Sequence, residues 1–178
     1  MKRLYITILF LILSGCSFHS SQLSFVKNKF STVENSNPIP NWSMSWADEH
    51  FDVYAINIKN NIIFADYDNN IIIFNGWQIS NVQGLFSYEI DIKMNKNDQN
   101  LLYLIEGNII IDECGDWKSI TKNKIRYHSQ DCNDINKIEK YNNTIVVSNE
   151  NIIGLSFRIH PDYPNLILKM NQFNQLEL

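Results

Sequence analysis

The stretch Ile71-Ile72-Ile73-Phe74-Asn75-Gly76-Trp77-Gln78-Ile79-Ser80-Asn81-Val82 reads as a complete hairpin. Ile71 to Phe74 is β-branched and aromatic, which suits a pleated, half-buried backbone. Asn75-Gly76 follows, and both residues accept positive φ at little cost, as a tight hairpin turn requires. Trp77 to Val82 then returns as a second strand. The same pattern extends outward in both directions. Asp68-Asn69-Asn70 is a turn, and Asn61 to Ala65 and Phe51 to Ile58 are strands before it. Tyr88 to Met94, Leu101 to Ile105, Asn108 to Asp112, Ile125 to His128, Thr144 to Ser148, Ile152 to His160 and Leu166 to Met170 continue the series.

In Leu155-Ser156-Phe157-Arg158-Ile159-His160 apolar and polar residues alternate. A strand of that pattern buries one face, which sets Arg158 and His160 outward. No long amphipathic segment separates the strands, so a βαβ fold is excluded. The expected fold is mainly β, an antiparallel meander forming a sandwich or incomplete barrel, with one short N-terminal helix. That helix is expected from Gln22, where Leu23, Val26 and Phe30 recur at helical spacing. Pro38 and Pro40 exclude its continuation and favour extended backbone.

The N-terminus carries an address. Lys2 and Arg3 are a short basic start, Leu4 to Leu13 a mostly apolar run, and Leu13-Ser14-Gly15-Cys16 closes it. The run is too short for a permanent bilayer helix and reads as an export signal. Its ending resembles the lipobox of bacterial lipoproteins. That resemblance implies that the Cys16 thiol accepts a diacylglyceryl group and that the chain is cut before it. The expected organisation is a signal peptide over 1–15, a lipidated tether, short helix and linker over 16–40, and one antiparallel β domain over 41–178. Several acyl chains on Cys16 would hold the protein firmly on a membrane. Ser17 after the cysteine favours the outer membrane, with the protein facing the periplasm.

The formal charge is −4 and includes Lys2 and Arg3, so the chain from Cys16 onward is near −6. A mildly acidic total with no basic cluster argues against nucleic acid and against electrostatic binding to anionic lipid. Cys114 and Cys132 remain after export to an oxidising compartment, where such pairs form bridges. A disulfide between them would stabilise the fold by roughly 3 kcal/mol. A metal site with His128 is a weaker reading, because the spacing is not that of a zinc site.

No hydrolase, metalloprotease, P-loop or dinucleotide signature is present. Asp66, Asp68 and Asn70 imitate the start of a calcium loop, but Ile71 stands where glycine is needed and Trp77 where glutamate should close the cage. Neighbours on an extended chain point to opposite faces, so Asp48, Glu49 and His50 do not converge as an acid–base set. His19, His128 and His160 read as tether or surface imidazoles. Trp42, Trp46, Trp77 and Trp117 are candidates for a sugar-stacking groove, with core packing as the commoner use of tryptophan. No catalytic residue, cofactor or metal is expected.

Two stretches resemble one family. The first is Ile71 through Gly76-Trp77 to Gly84-Leu85. The second runs from Tyr141 through Thr144-Ile145-Val146-Val147-Ser148 and Gly154-Leu155-Ser156 to Pro161-Asp162-Tyr163-Pro164 and Leu166-Ile167-Leu168. Together with the lipobox they are similar to the YjbF/GfcB-like lipoproteins, in which Gly76, Gly84 and Gly154 match motif positions. The resemblance implies a non-enzymatic outer-membrane lipoprotein that assists exopolysaccharide or group 4 capsule assembly or export. Its partners would be other envelope export proteins or the polysaccharide itself. An alternative is a carrier of lipid or lipoprotein with an apolar cavity between sheet and helix.

Overall fold

The computed structural model describes residues 40–178 except 86–87, 96–99, 106, 135–138, 174 and 177. The lipobox-like stretch, Cys16, His19 and the expected helix after Gln22 lie outside the described residues. The described part opens with strands β1 (Trp42–Trp46), β2 (Glu49–Ile58), β3 (Asn61–Ala65) and β4 (Ile71–Phe74). Next come β5 (Ile79–Gln83), β6 (Glu89–Asn95), β7 (Asn100–Ile105), β8 (Asn108–Cys114) and β9 (Lys118–Lys122). The series ends with β10 (Ile125–Asp134), β11 (Glu139–Ser148), β12 (Asn151–Phe157) and β13 (Leu166–Met170). A single 3-10 turn, Asn171–Phe173, is the only helical element among the described residues.

The strands form a closed antiparallel barrel, which corrects the expected sandwich or incomplete barrel. β1 to β8 pair in chain order, β10 to β13 continue the ring, and β13 pairs with β1. Twelve strands close the circle, and β9 lies outside it on β10 alone. Closure depends on two long-range joins. Leu166–Met170 inserts between β12 and β1, pairing with both. The other join is β8 to β10, where only Cys132, Asn133 and Asp134 find partners. The bridge Cys114–Cys132 sits on this short seam, as expected from the sequence. Closure removes free edges, which an open sheet of this length would expose. The alternation of apolar and polar residues is the same in open and closed sheets, so it could not decide between them.

Every second residue points into the lumen. Phe64, Ile72, Val82, Ile90 and Ile105 pair in register as a buried row across five strands. Fully burying one such side chain is worth about 1.5–3 kcal/mol. Rings meet across the lumen as well, with Phe74 and Phe157 at 5.8 Å and Trp42 and Phe64 at 5.0 Å. An apolar interior is the reverse of a membrane-crossing barrel, whose interior is polar and whose outer band is apolar.

Turn chemistry fixes the hairpins. Ala47–Asp48, Asn123–Lys124 and Asn149–Glu150 each have positive φ at both residues, the geometry that matches strand twist in two-residue loops. Gly84 has φ +88°, and a Cβ there would stand 2.8 Å from the Asn69 carbonyl oxygen. The Asp66 turn is held by its own carboxylate, which accepts the N–H groups of Asp68 and Asn70 at 2.9 Å each. After β12 the chain crosses one end of the barrel. Tyr163 lies 5.0 Å from Trp46 and from His160, and Trp46 Nε1 donates to the Pro164 carbonyl at 3.0 Å.

Candidate functional site

Two groups of side chains combine unusual burial with chemistry. The first lies beneath the crossing segment. The clean alternation of 155–160 set Arg158 outward, yet it is 4 % exposed, and His160 is also buried. β12 ends at Phe157, so the period-two rule stops one residue before Arg158. The guanidinium then reaches inward. Its Nη2 donates to Asp134 Oδ2 at 3.1 Å and to the Pro161 carbonyl at 2.5 Å, and its plane lies 4.7 Å from the Tyr141 ring centre. Tyr141 donates to Asp112 Oδ2 at 2.7 Å and meets the Tyr103 hydroxyl at 2.9 Å.

Burial dominates the electrostatics of this network. It pushes the Asp112 carboxyl above the usual carboxylate range, against the hydrogen bond from Tyr141 that favours the charged form. It also raises the Tyr141 and Tyr103 phenols, so both stay protonated. Arg158 Nε and Asp112 Oδ1 have no partner among the described residues. A cleft of about 340 Å³ borders the group, lined by Glu139, Tyr141, Arg158, Asp162, Tyr163 and Asn165 among others. Through Asp134 and the Pro161 carbonyl the buried Arg158 ties the crossing segment to the end of β10.

The second group is a rim of aromatic rings. The four tryptophans named from the sequence divide in two. Trp42 and Trp46 occupy alternate positions of β1 and are 2 % and 1 % exposed, so they are core. Trp77 and Trp117 instead come together, with ring centres 5.6 Å apart and planes at 54°. His128 meets Trp77 in a T-shaped contact at 5.6 Å and 85°. Trp117 is anchored below on Phe157 at 6.2 Å. Trp77 nevertheless keeps 55 % of its surface exposed.

The local sequence explains how an exposed ring is held. Asn75 Oδ1 accepts the N–H groups of Trp77 and Gln78 at 3.4 and 3.1 Å, and Gly76 takes φ +101°. That turn presents the indole at the tip between β4 and β5. Ser119 Oγ and His128 Nδ1 lie 2.7 Å apart, which orients the imidazole. Burial, then the nearby Arg126 charge, lowers the His128 pKa, so the ring is neutral near pH 7. An aromatic shelf that leaves more than half of Trp77 in water offers π density to C–H bonds of a flat ligand.

The fold resembles that of a known lipoprotein. The crystal structure of the hypothetical lipoprotein YmcC from Escherichia coli (K12) superposes with a TM-score of 0.53. The match covers 86 % of this chain and 96 % of that one, at 8 % sequence identity, so the likeness is one of fold. No family model matches the chain, and no curated protein does either.

Other sequence candidates fall elsewhere. Asp48 and Glu49 lie at the β1–β2 turn, and His50 bonds Ser45 at 2.8 Å on the surface. No group of three His, Cys, Asp or Glu residues placed to share a metal occurs among the described residues. One feature was missed. The segment from Trp117 to Gln130 holds Lys118, Lys122, Lys124 and Arg126 with no acid between them. A chain total of −4 concealed this local density, and β9 itself was not expected as a strand because its five residues are mostly polar.

Proposed function

We propose that the protein is a non-enzymatic, lipid-anchored lipoprotein of the outer membrane that assists exopolysaccharide or capsule assembly or export by holding glycan. The observation that carries the glycan part is the Trp77 shelf: a tryptophan 55 % exposed yet braced by Trp117 and His128. Pyranose rings present C–H-rich faces that stack on such a surface. The lipobox at Cys16 and the two family-like stretches support the anchored, envelope-associated role. The likeness to a lipoprotein fold is consistent with that role. The lumen offers less to the carrier alternative, since Phe74, Phe157, Trp42 and Phe64 meet inside it.

A clean deletion in the native host tests this reading, complemented by wild type, by Cys16→Ala and by Trp77→Ala. The expected result is loss of surface polysaccharide that only wild type restores fully. Unchanged polysaccharide in the deletion strain would overturn the reading.

A further inference from the structure

The β9–β10 hairpin is a basic arm on an acidic protein. Four of the chain's 15 lysines and arginines fall between Lys118 and Arg126, all exposed. Lys118 is engaged with Asp131 at 2.5 Å. Lys122, Lys124 and Arg126 form no ion pair among the described residues. The two-residue turn Asn123–Lys124 holds the hairpin tip in a defined shape, with φ +50° and +67°.

One face of the arm continues into the aromatic shelf. In β10, Arg126 and His128 are two residues apart and therefore share a strand face. Arg126 is close enough to depress the His128 pKa, and His128 is the ring that braces Trp77. Lys124 carries positive charge at the tip beyond Arg126, whereas Lys122 pairs with Ile125 and lies on the other face of the hairpin. Exposed cations without carboxylate partners keep their full field for an incoming anion. A neutral sugar would gain nothing from them. A chain that alternates stackable rings with negative groups would use both features at once, ring on Trp77 and charge against the arm.

We infer that the polymer held at this rim is an acidic polysaccharide, one bearing carboxylate or similar anionic groups, with Trp77 as the stacking surface and Lys124 and Arg126 as the charge contacts. The inference rests on the glycan reading of the Trp77 shelf. It adds the charge of the ligand and the residues that read it. Duplex nucleic acid also presents anions, but its bases are paired and stacked and leave no ring for Trp77.

The test is a tryptophan-fluorescence titration of the full lipidated chain in neutral detergent, with polygalacturonate as the acidic probe and dextran as the neutral one. Polygalacturonate is expected to bind at least about tenfold more tightly than dextran, and raised salt is expected to weaken it. The variant Lys124→Gln/Arg126→Gln should lose about tenfold in affinity. Lys124→Arg/Arg126→Lys should retain it, with unchanged thermal midpoints in both. Equal, salt-insensitive binding of both polymers would overturn the inference and leave the glycan reading standing. Binding of neither polymer would overturn both. Equal affinity for a DNA duplex or for phosphatidylglycerol vesicles would also overturn it, since the arm would then be a general polyanion surface.

Discussion

Trp42 and Trp46 on the one hand, and Trp77 and Trp117 on the other, are the same residue type put to opposite uses. The first pair lies in Trp-Ser-Met-Ser-Trp, where strict alternation turns both indoles into the lumen with Met44 between them. The second pair lies in connections, one in the β4–β5 turn and one between β8 and β9, where no strand parity applies. Parity sends a tryptophan to the core, and a turn leaves it at the rim. Exposure of an aromatic ring here follows from backbone position, and its neighbours determine which contacts brace it.

The largest effect is expected in the core. Trp46→Ala removes a 1 % exposed indole and its Nε1 bond to Pro164. The expected cost is about 3–5 kcal/mol, read by urea denaturation. A cost below about 1 kcal/mol would mean that Trp46 is not a core residue. Next in size is the seam that closes the barrel around that core. Cys114→Ser with Cys132→Ser should cost about 2–4 kcal/mol, because three register pairs alone then join β8 to β10. The wild type in reductant should show the same loss.

A smaller effect concerns pH. The Asp112 carboxyl is raised by burial, so the folded protein keeps a proton that the unfolded chain has already released. That contribution to stability is complete below the ordinary carboxylate value of 3.8 and is lost as pH rises through the folded value. Asp112→Asn should therefore gain on wild type between acid and neutral pH, measured as denaturation midpoints across a pH series. Parallel curves for the two proteins would contradict it.

The sequence made the local pieces of this fold readable and left the long-range ones hidden. Ile71–Phe74, its Asn75-Gly76 turn and the strand at Ile79 carry their own signals of period and turn chemistry. β1 carried the same alternation, but Pro38 and Pro40 beside it read as linker, and no strand was expected before Phe51. Nothing in Leu166–Met170 says that it will pair with Trp42–Ser45 more than a hundred residues away. Closure was invisible for that reason. Arg158 was misplaced because alternation holds only while the strand lasts, and a buried cation needs partners, Asp134 and the Pro161 carbonyl, that no local pattern announces. The rim was half legible. Trp77 and Trp117 were named, but their meeting with His128 depends on the barrel bringing β4, β8 and β10 to one place.

The most direct test of the division between core and rim is Trp77→Ala, taken through stability and polygalacturonate titration on the same preparation. An exposed turn residue should change stability by no more than about 0.5 kcal/mol while the polymer-induced fluorescence change disappears. A variant that still binds with the wild-type signal, or that unfolds as readily as Trp46→Ala, would contradict the account.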